Sequence, residues 1–171
     1  MNSESNICAG HAGLTVALAD FGNEADAADV LSLLDVYARD PMGGGSPLGD
    51  QTREHLIAGL KAIPGTFSLI ARIGGEPVGL ANCFTGFSTF AAAPLVNVHD
   101  FVIVPGHRGR GIGKALMTAV EAEASRRGAC KITLEVLSGN APAKALYSAC
   151  GFGDYQLDPE AGQALFWQKR L

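Results

Sequence analysis

The residues best suited to chemistry lie together in Val102-Ile103-Val104-Pro105-Gly106-His107-Arg108-Gly109-Arg110-Gly111-Ile112-Gly113-Lys114. An apolar run ends at a proline, a turn rich in glycine and arginine follows, and a helical pattern starts at once. That order makes an anion site. The first N–H groups of a helix have no partner within it, the positive end of the helix dipole points outward, and cations stand beside it. Glycines allow the backbone to approach a phosphate without a Cβ in the way. The expected ligand is a phosphorylated small molecule.

Three phosphate motifs compete for this stretch. A P-loop of the form GxxxxGK[ST] fails, because Ala115 follows Gly113-Lys114 and Arg108 stands where the first glycine belongs. A GxGxxG dinucleotide fingerprint fails at its third glycine, which is Lys114 in one register and Leu116 in the other, and too little chain follows for that fold. What fits is Arg-x-x-Gly-x-Gly, with Arg108, Gly111 and Gly113.

The elements that must position this loop follow from periodicity. Leu14 to Leu18 reads as a strand. Asn23 is a suitable N-cap for a helix over Ala25 to Ala38, with Val30, Leu31, Leu34 and Tyr37 on one face. The glycine- and proline-rich stretch from Asp40 to Asp50 breaks regular structure and suits a mobile connector. A second helix spans Gln51 to Ile63. Strand patterns cover Thr66 to Ile73, Pro77 to Phe87 and Val96 to Val104. After the glycines, Ile112, Ala115, Leu116, Ala119, Val120 and Ala124 form a helical stripe. Lys131 to Leu137 reads as a strand, Ala141 to Cys150 as a helix, and Phe152 to Gln156 and Ala164 to Lys169 as closing strands. The order β-α-α-β-β-β-α-β-α-β-β predicts an α/β (α+β) fold: a mixed, mostly antiparallel sheet of about seven strands flanked by about four helices, in a single domain over residues 1–171.

Composition narrows the partners. The 171 residues carry a formal net charge of −4, which argues against a nucleic-acid binder. Residues 1–90 hold 4 basic and 10 acidic side chains, whereas residues 91–171 hold 9 and 7, so the phosphate loop lies in the mildly basic half. An acidic first half suits a cationic partner or plain solvation. No apolar run is long enough for a membrane helix, and the start of the chain lacks a signal-peptide pattern. Cys8, Cys83, Cys130 and Cys150 have no metal-ligand spacing, so no metal is expected. Reduced thiols, buried as small apolar residues, fit a cytoplasmic protein.

Taken with Leu134-Glu135-Val136, Asn140, Ala145-Leu146-Tyr147 and Gly151-Phe152, the Arg108–Gly113 loop after Ile103-Val104-Pro105 resembles the GNAT superfamily of acyl-CoA-dependent N-acyltransferases. The resemblance covers the element order and is sharpest from Asn97 to Phe152. It implies that acetyl-CoA is the co-substrate, its pyrophosphate held by the backbone of Gly109, Arg110, Gly111, Ile112, Gly113 and Lys114 with charge from Arg108 and Arg110. It implies that the backbone of Phe101, Val102, Ile103 and Val104 pairs with the pantetheine arm. The N–H of Ile103 would polarise the thioester carbonyl. Asn140 would bond the cofactor amide or position its helix, and Lys144 would meet the 3′-phosphate or only solvent.

By the same resemblance, Tyr147 is the general acid that protonates the departing thiolate; a phenol of pKa near ~10 suits a thiol of ~8.5 or above. For the base, Asp100, Glu135 and His99 are candidates, as is a water chain. Phe87-Ser88-Thr89-Phe90 followed by His99-Asp100-Phe101 resembles the diamine acetyltransferase branch, which has two acids where this chain has His99-Asp100. Glu135 matches the acid of relatives that acetylate protein N-termini. The implied activity is acetyl transfer to a primary amine of a small molecule by direct attack in a ternary complex. A peptide N-terminal or lysine acetyltransferase and a non-catalytic acyl-CoA sensor remain alternatives, and a homodimer is left open. Tyr37, Met42 and Phe87 are weighed as acceptor-pocket residues against a plainer place in the core.

Overall fold

The computed structural model describes residues 13–155, 160, 162 and 164–171; Cys8 and Gln156 lie outside them. The described residues form two compact units that divide between Leu134 and Glu135.

In the first unit, strands β1 (Leu14–Leu18), β2 (Thr66–Ile73), β3 (Glu76–Ser88), β4 (Ala93–Ile103) and β5 (Ile132–Leu134) make one sheet in the order β1-β2-β3-β4-β5. The first three pairings are antiparallel and β4–β5 is parallel. Helices α1 (Glu24–Arg39) and α2 (Asp50–Ala62) cover one face. On that face Val30, Leu33 and Leu34 of α1 and Leu60 of α2 pack on Ile70, Leu80 and Val102, which lie side by side on three strands. Asn23 caps α1 as expected, its side-chain oxygen accepting from the N–H groups of Ala25 and Asp26. Arg72 of β2 bonds Asp26 and Asp29, which fixes α1 in register on the sheet.

Helix α3 (Ile112–Arg126) buries the whole stripe read from its periodicity. Its last turn is tied to β2 through a buried carboxylate. Glu123 accepts from Arg126 at 2.6 and 2.8 Å and from Arg127 at 2.7 Å, while Arg127 stacks 4.1 Å above the Phe67 ring. Burial raises the Glu123 pKa, but the bonds from Arg126 and Arg127 outweigh it and hold the carboxyl below its ordinary value. A group so lowered stabilises the fold above the ordinary carboxylate range and loses that contribution as pH falls through its folded value. Glu123→Gln is therefore expected to cost about 1.5–3 kcal/mol in urea unfolding at pH 7, with the deficit closing below about pH 4. An equal deficit at both pH values would contradict the ion-pair origin.

The Asp40–Asp50 connector, expected to be loose, follows a defined hydrogen-bonded path. The carbonyl of Asp40 accepts from the N–H groups of Gly43, Gly44 and Gly45, Ser46 N–H bonds Ala38, and Leu48 N–H bonds Asp35 Oδ1. Gly43 is required here: a Cβ would sit 2.0 Å from the Tyr37 carbonyl oxygen.

In the second unit, α4 spans Ala141–Ala149. Five strands rather than about seven form among the described residues, so the expected order is corrected after α3. The strand expected over Lys131 to Leu137 is reduced to Ile132–Leu134, because only those residues pair with β4. Phe152 to Tyr155 and Ala164 to Lys169 carry no strand; their aromatic and apolar residues favour one, but a strand also needs a ladder partner, and no ladder includes them.

Candidate active site

One irregularity in the sheet shapes the site. Asn82 of β3 stands opposite Asp100, but the next residue, Cys83, stands opposite Val98, so His99 is an extra residue in β4. Such a bulge reverses which edge of the strand each N–H faces. Before it, Val96 donates to Lys131 O at 3.1 Å on the β5 side. Beyond it, Val104 donates to Val78 O at 2.9 Å on the β3 side. By the two-residue alternation, the backbone of Phe101 and Ile103 then faces away from β3.

On that edge the ladder to β5 stops at Val98–Leu134, while β4 runs on to Ile103. β5 ends at Leu134, so the ladder does not continue, and the Ile103 N–H and C=O lie on that edge of β4. The carbonyl accepts from Arg108 Nε at 3.0 Å, which confirms its direction.

A short 3₁₀ turn (Pro105–His107) carries the chain from β4 to the glycines. Gly111 forms the N-cap of α3 at φ 77°, a left-handed conformation that favours glycine. No side chain caps this helix start, and its first turn holds no acidic residue. The place a Cβ would take on Gly109 is open, with nothing within 4 Å. Arg110 and Lys114 are exposed beside it. This is a fit for a diphosphate. Arg108 is occupied differently from the expectation: besides bonding Ile103 O, its Nη2 pairs with Asp40 Oδ2 at 2.7 Å. It braces the α1 connector against the end of β4.

Lys114 gives a way to separate binding from stability. At the third position of α3, a glutamate interacts favourably with the helix dipole. Lys114→Glu is thus expected to leave the melting temperature unchanged or slightly raised. It should weaken CoA binding about 10- to 100-fold by calorimetry, since two unit charges change beside the anion. Unaltered affinity would place the diphosphate elsewhere.

Asp100, half-buried on the α1 face, ends a polar row across three strands. Ser68 Oγ bonds Asn82 Oδ1, and Asn82 Nδ2 donates to Asp100 Oδ2 at 3.1 Å. Ser68 and Asn82 are fully buried. Tyr37 lies close enough for its phenol to feel Asp100: burial first, then the charges of Asp100 and Asp40, push its pKa up, so it stays protonated at neutral pH. His99 is exposed, with its ring edge-on to Phe84 at 5.3 Å. The structure thus brings Asp100, Ile103, Arg108 and Gly111 into one unit, and it adds Ser68, Asn82, Tyr37 and Asp40. Sequence patterns missed the first two; the only signal was a serine and an asparagine at inward positions of otherwise apolar strands.

Met42 and Phe87 are exposed and Phe90 fully so, which removes Met42 and Phe87 from the core. Burial pushes the Cys83 thiol up to about 12, too high for a nucleophile at neutral pH. Cys130, expected to be buried, is an exposed thiol. Among the described residues no group of three or more His, Cys, Asp or Glu could hold a metal ion, and no helix is long and apolar enough to cross a membrane.

In the second unit, Asn140 caps α4, its Oδ1 accepting from Ala143 N–H at 3.2 Å. Such a cap satisfies one of the first N–H groups of α4. Tyr147 is buried on this helix, its ring 6.0 Å from that of Phe152, and Phe152 N–H bonds the Tyr147 carbonyl at 3.0 Å. Glu135 and Lys144 are exposed.

The edge of β4 beyond its ladder to β5, followed by an uncapped, glycine-led helix start, fits an extended, phosphorylated carrier. The chain belongs to the acetyltransferase (GNAT) family, whose model matches residues 31–152. The streptothricin acetyltransferase of Streptomyces lavendulae is 40% identical over 75 residues, 44% of this chain and 40% of that protein. An uncharacterised N-acetyltransferase of Bacillus subtilis (strain 168), YhfO, is 31% identical over 84 residues, 49% of this chain and 56% of the relative. The chain spans about half the length of these curated relatives. The fold is shared with an aminoglycoside acetyltransferase, meta-AAC0020, from an uncultured soil metagenomic sample, whose crystal structure contains sisomicin; the TM-score is 0.72 at 14% identity, covering 92% of this chain and 97% of that one.

Proposed function

We propose that this chain transfers the acetyl group of acetyl-CoA to a primary amine of a small cationic molecule, by direct attack within a ternary complex. The observation that carries the reading is the end of the β4–β5 ladder at Val98, with the Ile103 backbone on the edge of β4 beyond it and the uncapped start of α3 following. Family membership and the named streptothricin relative support an amine acceptor. The acidic first half of the chain, with Asp40 and Asp100 both acting on Tyr37, supports a cationic one.

The residues divide the work as follows. The N–H groups of residues 109–114, with Arg110 and Lys114, hold the diphosphate. Ile103 N–H donates to the thioester carbonyl and stabilises the oxyanion as the C–N bond forms. Asp100 accepts the proton of the ammonium, freeing the lone pair that attacks. Tyr147 donates its proton to the sulfur as the C–S bond breaks. Glu135 and His99 are the competing bases, distinguished by substitution. Free-thiol release from acetyl-CoA over a panel of diamines, amino sugars and peptide N-termini tests the proposal, with mass spectrometry of the product. Acetylated small amines are expected. Acetylation of peptides alone would move the assignment to the protein-acetylating branch, and no release with any amine would refute catalysis.

A further inference from the structure

We infer that Ser68 and Asn82 are positioning residues for the transfer: their hydrogen-bond chain holds one oxygen of Asp100 so that the other serves the acceptor nitrogen. The inference rests on the proposed role of Asp100 as the base.

The geometry leaves little freedom. Ser68, Asn82 and Asp100 occupy consecutive register positions on β2, β3 and β4. The neighbouring row on the same face is Ile70, Leu80 and Val102, all apolar and buried. Packing alone would be served by a second apolar row, since a buried polar group is costly unless fully bonded. The polar row leads instead to Asp100, the one carboxylate of β4.

Donor rules set its direction. An ionised carboxylate only accepts, so Asn82 must present its NH₂ to Asp100 Oδ2. Its oxygen then faces Ser68, whose hydroxyl must donate. Asp100 Oδ1 is left as the oxygen that Asn82 does not use. When the ammonium proton moves to Asp100, the carboxyl becomes a donor. The proton arrives on Oδ1, so Oδ2 stays an acceptor for Asn82 Nδ2 and the Ser68–Asn82–Asp100 chain keeps its direction in both protonation states. No buried group of the row is orphaned by the transfer, and the Asn82 amide reports the charge of Asp100 through its bond to Oδ2.

Tyr37 of α1, pushed up by burial and by the charges of Asp100 and Asp40, holds one charge state across the neutral range, and Asp40 is paired with Arg108. Cys83, next to Asn82 in β3, lies on the other face of the sheet, and burial pushes its thiol up to about 12. His99 is the adjacent titratable group and needs a control.

The test follows the side-chain amide of Asn82 by ¹⁵N–¹H spectroscopy of the full chain as pH is varied, beside the acid limb of kcat/KM. The amide signal is expected to move with the same midpoint as that limb, and to do so still in His99→Gln. Asn82→Leu, which keeps the volume and removes the donor, is expected to lower kcat about tenfold or more with CoA affinity retained. Its acid limb should shift toward neutral pH. Ser68→Ala should lower kcat by a smaller factor in the same direction. An Asn82 amide that ignores pH while kcat/KM shows an acid limb would overturn the inference alone, as would a folded Asn82→Leu with unchanged kcat. Absence of transfer to any amine would overturn both this inference and the reading it rests on.

Discussion

Asp100→Asn is expected to lower kcat toward a primary amine about 10²- to 10³-fold at pH 7 while leaving acetyl-CoA affinity within a few-fold of the parent. An alkyl ammonium of pKa ~10.4 must lose its proton before it can attack, at a cost of about 4–5 kcal/mol at pH 7. A base beside the acceptor removes much of that cost. Asparagine matches aspartate in size and can still accept from Asn82, so the sheet should stay intact. The sign of the pH dependence separates a base from a packing residue. The deficit should shrink as pH approaches ~10, where water deprotonates the amine instead. A deficit constant with pH would assign Asp100 a structural role and shift the base to Glu135 or His99.

Tyr147→Phe is expected to cost a further distinct step. The substitution removes only the phenolic hydroxyl from a ring that is buried and lies 6.0 Å from Phe152, so α4 should keep its packing. Without the O–H, the thiolate must leave unprotonated or wait for water, and general-acid contributions of this kind are worth about 10²–10⁴-fold. Acetyl-CoA affinity should hold, because the diphosphate cradle belongs to the start of α3. Unchanged turnover in the variant would remove Tyr147 from the chemistry. A matched loss of CoA affinity and turnover would instead make it a binding residue.

Local patterns carried much of this structure. The stripe from Ile112 to Ala124 is buried throughout, and the strand read over Thr66 to Ile73 forms with those bounds, because both signals arise from one element meeting one core. The glycine loop was readable for a similar reason: its chemistry is mostly backbone and contiguous. Non-local features were not. The bulge at His99 exists only relative to β3, and the Ser68–Asn82–Asp100 row joins residues 14 and 18 positions apart through strand register. Arg108 shows the same limit, since its partner Asp40 lies 68 residues earlier. The closing strands failed in the opposite sense. Ala164 to Lys169 begins with the apolar run Ala-Leu-Phe-Trp, yet a strand is a property of a pair, and no ladder includes it.

Titration of the ¹⁵N-labelled chain with CoA tests the central claim most directly. Saturable shifts in the amide signals of Gly109 to Lys114 and of Ile103 are predicted, because those N–H groups should hold the diphosphate and face the thioester arm. Signals that stay fixed up to millimolar CoA, or shifts confined to other parts of the chain, would contradict it.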